Sequence, residues 1–287
     1  MKINLKVARW LVLGLCLVLM TLVSFFVLTK SKDDILKVTF LDVGQGDAIF
    51  IEAPNGNQVL VDGGSSSQVL RSLGEVMPFY DRSLDLVIAT HPDADHIGGL
   101  TYVFDRFVVG GVLETEMENK TDAFDLYQVK EKKEKAQIVK AVVGSRIILA
   151  EDVVLDVLSP TANLKTGDLN DSSVILLLRF KESSWLLTGD ASVKVENYLA
   201  RQFGESLDID VLKIGHHGSK TSSSATFLEV TSPDWAVISA GVDNRYGHPH
   251  PDVLGRLEKM DIPYVSTVDK GNIYFESDGN KITCRNC

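Results

Sequence analysis

T-H-P-D-A-D-H-I-G-G, residues 90–99, places His91, Asp93, Asp95 and His96 within six positions. Two imidazoles and two carboxylates that close together repel and desolvate one another unless a cation shares them. All four side chains are metal ligands in their ordinary protonation states. The run follows L-D-L-V-I-A-T, residues 84–90, an apolar segment that reads as a buried strand. It ends in Gly98-Gly99, so the ligands sit on a loop at a strand end, where sites are commonly built. A sheet that delivers metal ligands from its strand ends is the fold class this stretch implies.

Outward from it the chain is strand-rich. L-K-V-T-F-L-D-V, D-A-I-F-I-E-A and N-Q-V-L-V-D-G-G precede it, with the hairpin signal Asn55-Gly56 between the last two. A helix is expected over 68–77. The charged stretch 121–141, with K-E-K-K-E-K, reads as a solvated helix face. Two hairpins follow over 145–158 and 172–190, then an amphipathic helix in V-K-V-E-N-Y-L-A-R-Q-F. Strand I-D-V-L-K-I-G, strand D-W-A-V-I-S-A-G, helix V-L-G-R-L-E-K-M and a terminal hairpin about Lys270-Gly271 complete it. Strands open each half and a helix follows each polar cluster. The expected architecture is therefore two βα halves packed as an αββα sandwich, helices outside and sheets inside.

The six histidines fall in three clusters: His91 and His96, His216 and His217, His248 and His250. Each cluster follows an apolar strand, so all three are expected to converge on one site. Asp190 ends S-W-L-L-T-G-D, where a strand delivers a carboxylate through Gly189. By itself it would read as an N-cap for the next helix. Beside the histidine clusters it reads as a carboxylate bridging two cations about 4 Å apart.

The chain has 287 residues, 45% of them hydrophobic, which is enough for one large domain. Lys2, Lys6 and Arg9 precede an uncharged run from Trp10 to Thr29. Twenty residues at about 1.5 Å each span a bilayer core of about 30 Å. Basic residues before the run and Asp33-Asp34 after it orient residues 1–9 toward the cytoplasm and the remainder outside. No small-x-small cleavage site follows the run, so an uncleaved single-pass anchor is expected in place of a signal peptide. Residues 30–36 then form a linker and 37–287 the extracytoplasmic domain. Beyond residue 30 the chain carries 25 Lys and Arg against 39 Asp and Glu. That balance does not suit strong non-specific nucleic-acid binding but leaves a nuclease open, because bound dications can reverse the field locally. Outside the cytoplasm Cys284 and Cys287 are expected to pair as a disulfide.

The motifs F-L-D-V-G-Q-G-D-A-I-F-I, V-L-V-D-G-G, T-H-P-D-A-D-H-I-G-G, S-S-V-I-L-L-L, W-L-L-T-G-D, V-L-K-I-G-H-H-G-S-K-T-S-S-S and N-R-Y-G-H-P-H stand in this order. Together they resemble the metallo-β-lactamase superfamily and, within it, the extracytoplasmic domain of the ComEC competence proteins, over about residues 38–277. The resemblance implies a binuclear site for two divalent cations, zinc or manganese, at one edge of the sandwich. His91 and Asp93 would hold the first cation, Asp95, His96 and His248 the second, with Asp190 bridging. Asp62 would support the site from behind. His216 or His217 would meet the phosphate or the leaving oxygen.

Two departures mark this chain. Asp93 stands where the commoner motif has histidine, and Asn170 and Asp171 occupy the region of another missing histidine. Oxygen ligands shift preference from zinc toward manganese. One expected span, moreover, is not a DNA import pore by itself.

The implied activity is metal-dependent phosphodiester hydrolysis, with a nuclease related to DNA uptake as its sharpest form. The cations would lower the pKa of a shared water toward ~7, and Asp93 or Asp95 would orient the resulting hydroxide. Ser219, Thr221 and Ser222 to Ser224 would bind phosphate through hydroxyls, or form a polar loop. The rivals are hydrolysis of another extracellular ester (a phosphorylcholine ester or a lactam) and an inactive, metal-stabilised module beside a separate channel protein.

Overall fold

The computed structural model describes residues 5–29, 34–161, 167–242 and 244–287. α1 (Leu5–Thr29) is a continuous helix of 25 residues. Among the described residues no helix is long and apolar enough to cross a membrane. The span expected from the sequence runs to Thr29, and its side chains beyond residue 22 lie outside those described. Residues Ile35–Cys287 form a unit of their own.

Apolar strands buried on both faces build that unit. β1 (Leu36–Phe40), β2 (Ile49–Glu52), β3 (Gln58–Val61), β4 (Ser83–Ala89), β5 (Val108–Glu114) and β6 (Gln137–Lys140) are laid down first. β7 (Arg146–Ala150), β8 (Val153–Ser159), β9 (Ile175–Phe180), β10 (Ser183–Leu187), β11 (Val211–Lys213), β12 (Trp235–Ile238) and β13 (Tyr264–Ser266) make a second sheet. β14 (Ile273–Ser277) and β15 (Ile282–Arg285) then return to the first, whose order is β15-β14-β1-β2-β3-β4-β5-β6.

Leu36, Val38 and Phe40 of β1 face Leu176, Leu178 and Phe180 of β9 in a shared core between the sheets, around the fully buried Trp185. The alternate residues face outward under helices. Phe50 and Leu60 lie in a cluster with α2 (Gln68–Val76), α4 (Leu100–Phe104) and α5 (Asp122–Glu134). Ile175 and Leu177 lie in another with α6 (Val193–Phe203), α7 (Ala225–Thr231) and α8 (Pro251–Lys259). The result is the expected αββα order. Each large side chain in these layers contributes about 1.5–3 kcal/mol.

Two local expectations are corrected. The charged stretch is not a wholly solvated helix: α5 buries Phe124, Tyr127 and Glu131, and its continuation pairs with β5 as the edge strand β6. A short helix, Thr267–Lys270, stands where the terminal hairpin was expected; the hairpin is β14–β15, turning over 278–281. Cys284 and Cys287 are disulfide-bonded.

β3, β4 and β5 are mutually parallel, as are β10, β11, β12 and β13. Their carboxyl ends face one edge of the sandwich, the place where open parallel sheets carry sites. A backbone bond from Val174 N to Thr90 O (2.9 Å) ties the loops of the two sheets together there.

Candidate metal centre

β4 runs on into Thr90, His91 and the single-turn helix α3 (Ala94–Ile97), which presents Asp95 and His96. Gly46, from the F-L-D-V-G-Q-G-D motif, lies so near this turn that a Cβ there would meet Asp95 O at 2.0 Å. Gly99 backs onto Gly63 as closely, which explains why V-D-G-G and H-I-G-G both end in glycines. β10 delivers Asp190, and β11 delivers the turn Gly215–Gly218, where His216 and His217 both take left-handed backbone (φ 48° and 54°). Such backbone costs about 1–3 kcal/mol in a side-chain-bearing residue and is held where a site needs it.

Four of these side chains meet. His96 Nε2 is 3.3 Å from Asp190 Oδ1, His217 Nε2 is 3.5 Å from Asp190 Oδ2 and His91 Nε2 is 3.9 Å from the same oxygen. Asp95 Oδ2 stands 3.4 Å from His217 Nε2, and Asp93 Oδ2 3.6 Å from His91 Nε2. Donor atoms of His91, His96 and Asp190 lie within 4.8 Å of one another, as do those of Asp95, His96 and His217.

Each imidazole is oriented from behind. Asp62 accepts Thr90 N (2.8 Å), Thr90 Oγ1 (2.7 Å) and His96 Nδ1 (2.7 Å). Since Thr90 gives its only hydroxyl proton to Asp62, it accepts one from His91 Nδ1 at 3.1 Å. His217 Nδ1 faces Ser239 O at 3.0 Å and Asp47 Oδ1 at 3.2 Å, and Asp47 is itself paired with the fully buried Lys213 (2.8 Å). All three rings thus turn Nε2 inward, the orientation of metal-bound histidines. Asp47 and Asp62 also lie in donor groups with His96 and His217. Asp62 is engaged with Thr90 and His96 Nδ1, and one Asp47 oxygen with Lys213, so both brace the rings from behind, while Asp47 Oδ1 is left without a hydrogen-bond partner.

The Nε2 atoms of His91, His96 and His217, with Asp190 Oδ1, are buried without a hydrogen-bond partner. Orphaned nitrogens beside an orphaned carboxylate oxygen fit a cation. The electrostatics agree. Burial and the neighbouring His96 push His91 down to about 3, leaving its lone pair free. Burial opposes charge on His217, but Asp190 and Asp47 outweigh it and push it up to about 10. Burial likewise opposes charge on Asp190, yet His217 and His96 hold it well below the usual carboxylate range. The pocket demands positive charge, and a dication supplies it as the imidazoles release protons.

The remaining candidates fall around this core. His217, not His248, stands beside Asp95 and His96; the His248 ring lies 6.4 Å from that of His217 and 5.5 Å from that of His216. His248 belongs to a loop that reaches over the rim, whereas His217 leaves a strand end directly. His216, with Nε2 3.7 Å from Asp190 Oδ2, remains a quarter exposed, and Asn170 (3.4 Å) and Thr221 Oγ1 (3.3 Å) face its Nδ1. Asp171 turns away to accept from Ser192 Oγ at the start of α6. Ser219 Oγ meets Thr221 Oγ1 at 3.0 Å. Ser222 bonds Gly215 O, Ser223 N donates to Glu196 and Ser224 caps α7, so these three are structural. His250 accepts from Asp252 N and caps α8.

Sequence reasoning missed Asp47, Lys213 and Asn119. The first two sit inside quoted motifs. Asn119 comes from the loop before α5 and donates to Asp93 Oδ1 (3.0 Å) and Pro92 O (3.1 Å), a pairing that no local pattern marks.

Comparison with known proteins gives the family and the fold. The family model described as the metallo-beta-lactamase superfamily matches residues 41–242. ComE operon protein 3 of Bacillus subtilis is 33% identical over 91% of this chain and 35% of its own length. Recombination protein 2 of Haemophilus influenzae is 32% identical over 91% of this chain and 31% of its own. The chain therefore spans about a third of the length of the curated relatives it matches. The metallo-beta-lactamase fold protein YhfI from Bacillus subtilis shares the fold, with a TM-score of 0.57 at 14% identity over 85% of this chain and 100% of that one.

Proposed function

This chain belongs to the metallo-β-lactamase superfamily, and from that premise we propose that it is a membrane-anchored, extracytoplasmic phosphodiesterase that cleaves nucleic acid with two divalent cations. The supporting observation is the convergence of three orphaned Nε2 atoms on Asp190. In this reading His91, Asp93 and Asp190 hold one cation; Asp95, His96, His217 and Asp190 hold the other. Bound there, the cations acidify water and neutralise phosphate oxygens.

The chain's own groups do the rest. Asp95, about a quarter exposed, orients the attacking water through its carboxylate. His217 is almost wholly buried and serves as a ligand, which leaves the more open His216 to donate a proton from Nε2 to the departing oxygen. Asn170 and Thr221 fix the ring of His216 from its Nδ1 side. The first pocket, with one imidazole and two carboxylates, suits manganese; the second, with two imidazoles, suits zinc.

The test is cation content and cleavage of a single-stranded oligonucleotide by the full chain in detergent, with Asp190→Asn as control. Two cations per chain and cation-dependent cleavage, both lost in the control, support the reading. An intact fold that binds no cation sinks it. Cations bound without turnover of any substrate would favour the inactive, metal-stabilised module beside a channel protein, a reading to which the single imidazole of the first pocket lends weight. Turnover of phosphorylcholine esters or lactams, without nucleic acid, would move the substrate class.

The anchor is the run from Trp10 to Thr29 within α1, with Lys6 and Arg9 on its cytoplasmic side. Protease added outside intact cells should digest the domain after residue 34 and spare a tag placed at the N-terminus. Protection of the domain would reverse the assignment.

A further inference from the structure

The loop between β12 and α8 carries a series of planar groups that leads from solvent to His216 at the candidate metal centre. The His216 and His248 rings meet edge to face at 5.5 Å, and His248 lies against Tyr246 with centroids 5.7 Å apart and planes 21° from parallel. The Arg245 guanidinium carbon sits 4.9 Å from the Tyr246 ring centre, and its Nη2 donates to the Tyr246 hydroxyl at 2.7 Å. His248 is partly covered, while Tyr246 is half exposed and Arg245 open to water. An exposed tyrosine that builds no core and lies against His248, which meets His216 beside Asp190, stands at the rim of the candidate site.

Charge narrows the choice of ligand. The chain beyond residue 30 carries 39 acidic and 25 basic residues, yet three exposed cations are next in sequence to residues of the site or its rim. Lys120 follows the Asn119 that holds Asp93, Lys220 lies between Ser219 and Thr221, and Arg245 covers Tyr246. A guanidinium over the ring repels a quaternary ammonium, which disfavours a choline headgroup. It welcomes a phosphate, and its plane also stacks on bases. Planar stacking beside a phosphate-binding cation is how sequence-tolerant sites hold single strands.

We infer that Arg245 and Tyr246 hold the nucleotide next to the scissile phosphate of a single-stranded nucleic acid, Tyr246 extending its stack by one base and Arg245 meeting the adjoining phosphate. The inference rests on the phosphodiesterase reading and assigns that site its strand-recognising rim.

Binding by the full chain in detergent tests it, read by fluorescence anisotropy with a labelled oligothymidylate and the same strand made abasic. Wild type should prefer the base-bearing strand about tenfold or more. Tyr246→Ala should abolish that preference, and Tyr246→Trp should restore it. Arg245→Ala should lower the salt dependence of binding by about one phosphate contact. Equal binding of the two strands by wild type, or an undiminished preference in Tyr246→Ala, overturns the inference. Because binding is read without turnover, a chain that discriminates bases but never cleaves would refute the activity and keep the rim.

Discussion

Thr90 has one hydroxyl proton, and its destination decides what His91 can do. Given to Asp62, it makes Thr90 an acceptor for His91 Nδ1 and leaves His91 Nε2 bare toward Asp190. Asp62 thereby sets two rings at once, His91 through Thr90 and His96 directly. Losing an outer partner of this kind costs about 10–100-fold in metal affinity. Asp62→Ala should therefore weaken cation binding by that factor, measured by calorimetric titration of the stripped protein. Unchanged affinity would show that packing alone holds the rings. The four polar side chains of the opening motif could be picked out as one group because they are adjacent in sequence. His217 over His248 could not, since both follow apolar strands and only the fold tells which one faces Asp95.

At the scale of elements, α5 and the edge strand β6 depend on a buried polar cluster beside the site. Tyr127 donates to Glu114 Oε2 at 2.9 Å, Glu131 lies next to both and Lys140 pairs with Glu114. One lysine thus faces two carboxylates. Burial, and then the charge of Glu114, push Glu131 up to about 7. The folded state consequently binds a proton that the unfolded chain releases near its ordinary value of 4.5. Stability from this group is fully present below pH 4.5 and lost as pH rises through about 7. The melting temperature of wild type should fall between pH 5 and 8 by about 2–4 °C more than that of Glu131→Gln, followed by calorimetry. Parallel curves for the two proteins would exclude Glu131. In the sequence this stretch shows only alternating charge, because burial of Tyr127 and Glu131 follows from where β5 lies.

At the scale of the molecule, the site joins the two sheets: His91, Asp95 and His96 come from one, Asp190 and His217 from the other. Cations bound there favour the folded state over the unfolded by about 2.7 kcal/mol at a hundred times the dissociation constant. Saturating zinc or manganese should raise the melting temperature of the chelator-treated protein by about 5–10 °C, and Asp190→Asn should remove most of that rise. A melting temperature indifferent to cations would mean that the sheets do not share them. Apolar strands, the glycine pairs and the clustered histidines and carboxylates are local properties, so the sequence by itself determined the layered αββα order and the strand ends at which those side chains gather. What the tertiary structure decided is long-range. It brought Asp47 and Lys213 behind His217, set Asn119 on Asp93, and led Tyr246 back to the rim. Partnerships across tens of residues depend on how two sheets meet, and no periodicity in one dimension records that.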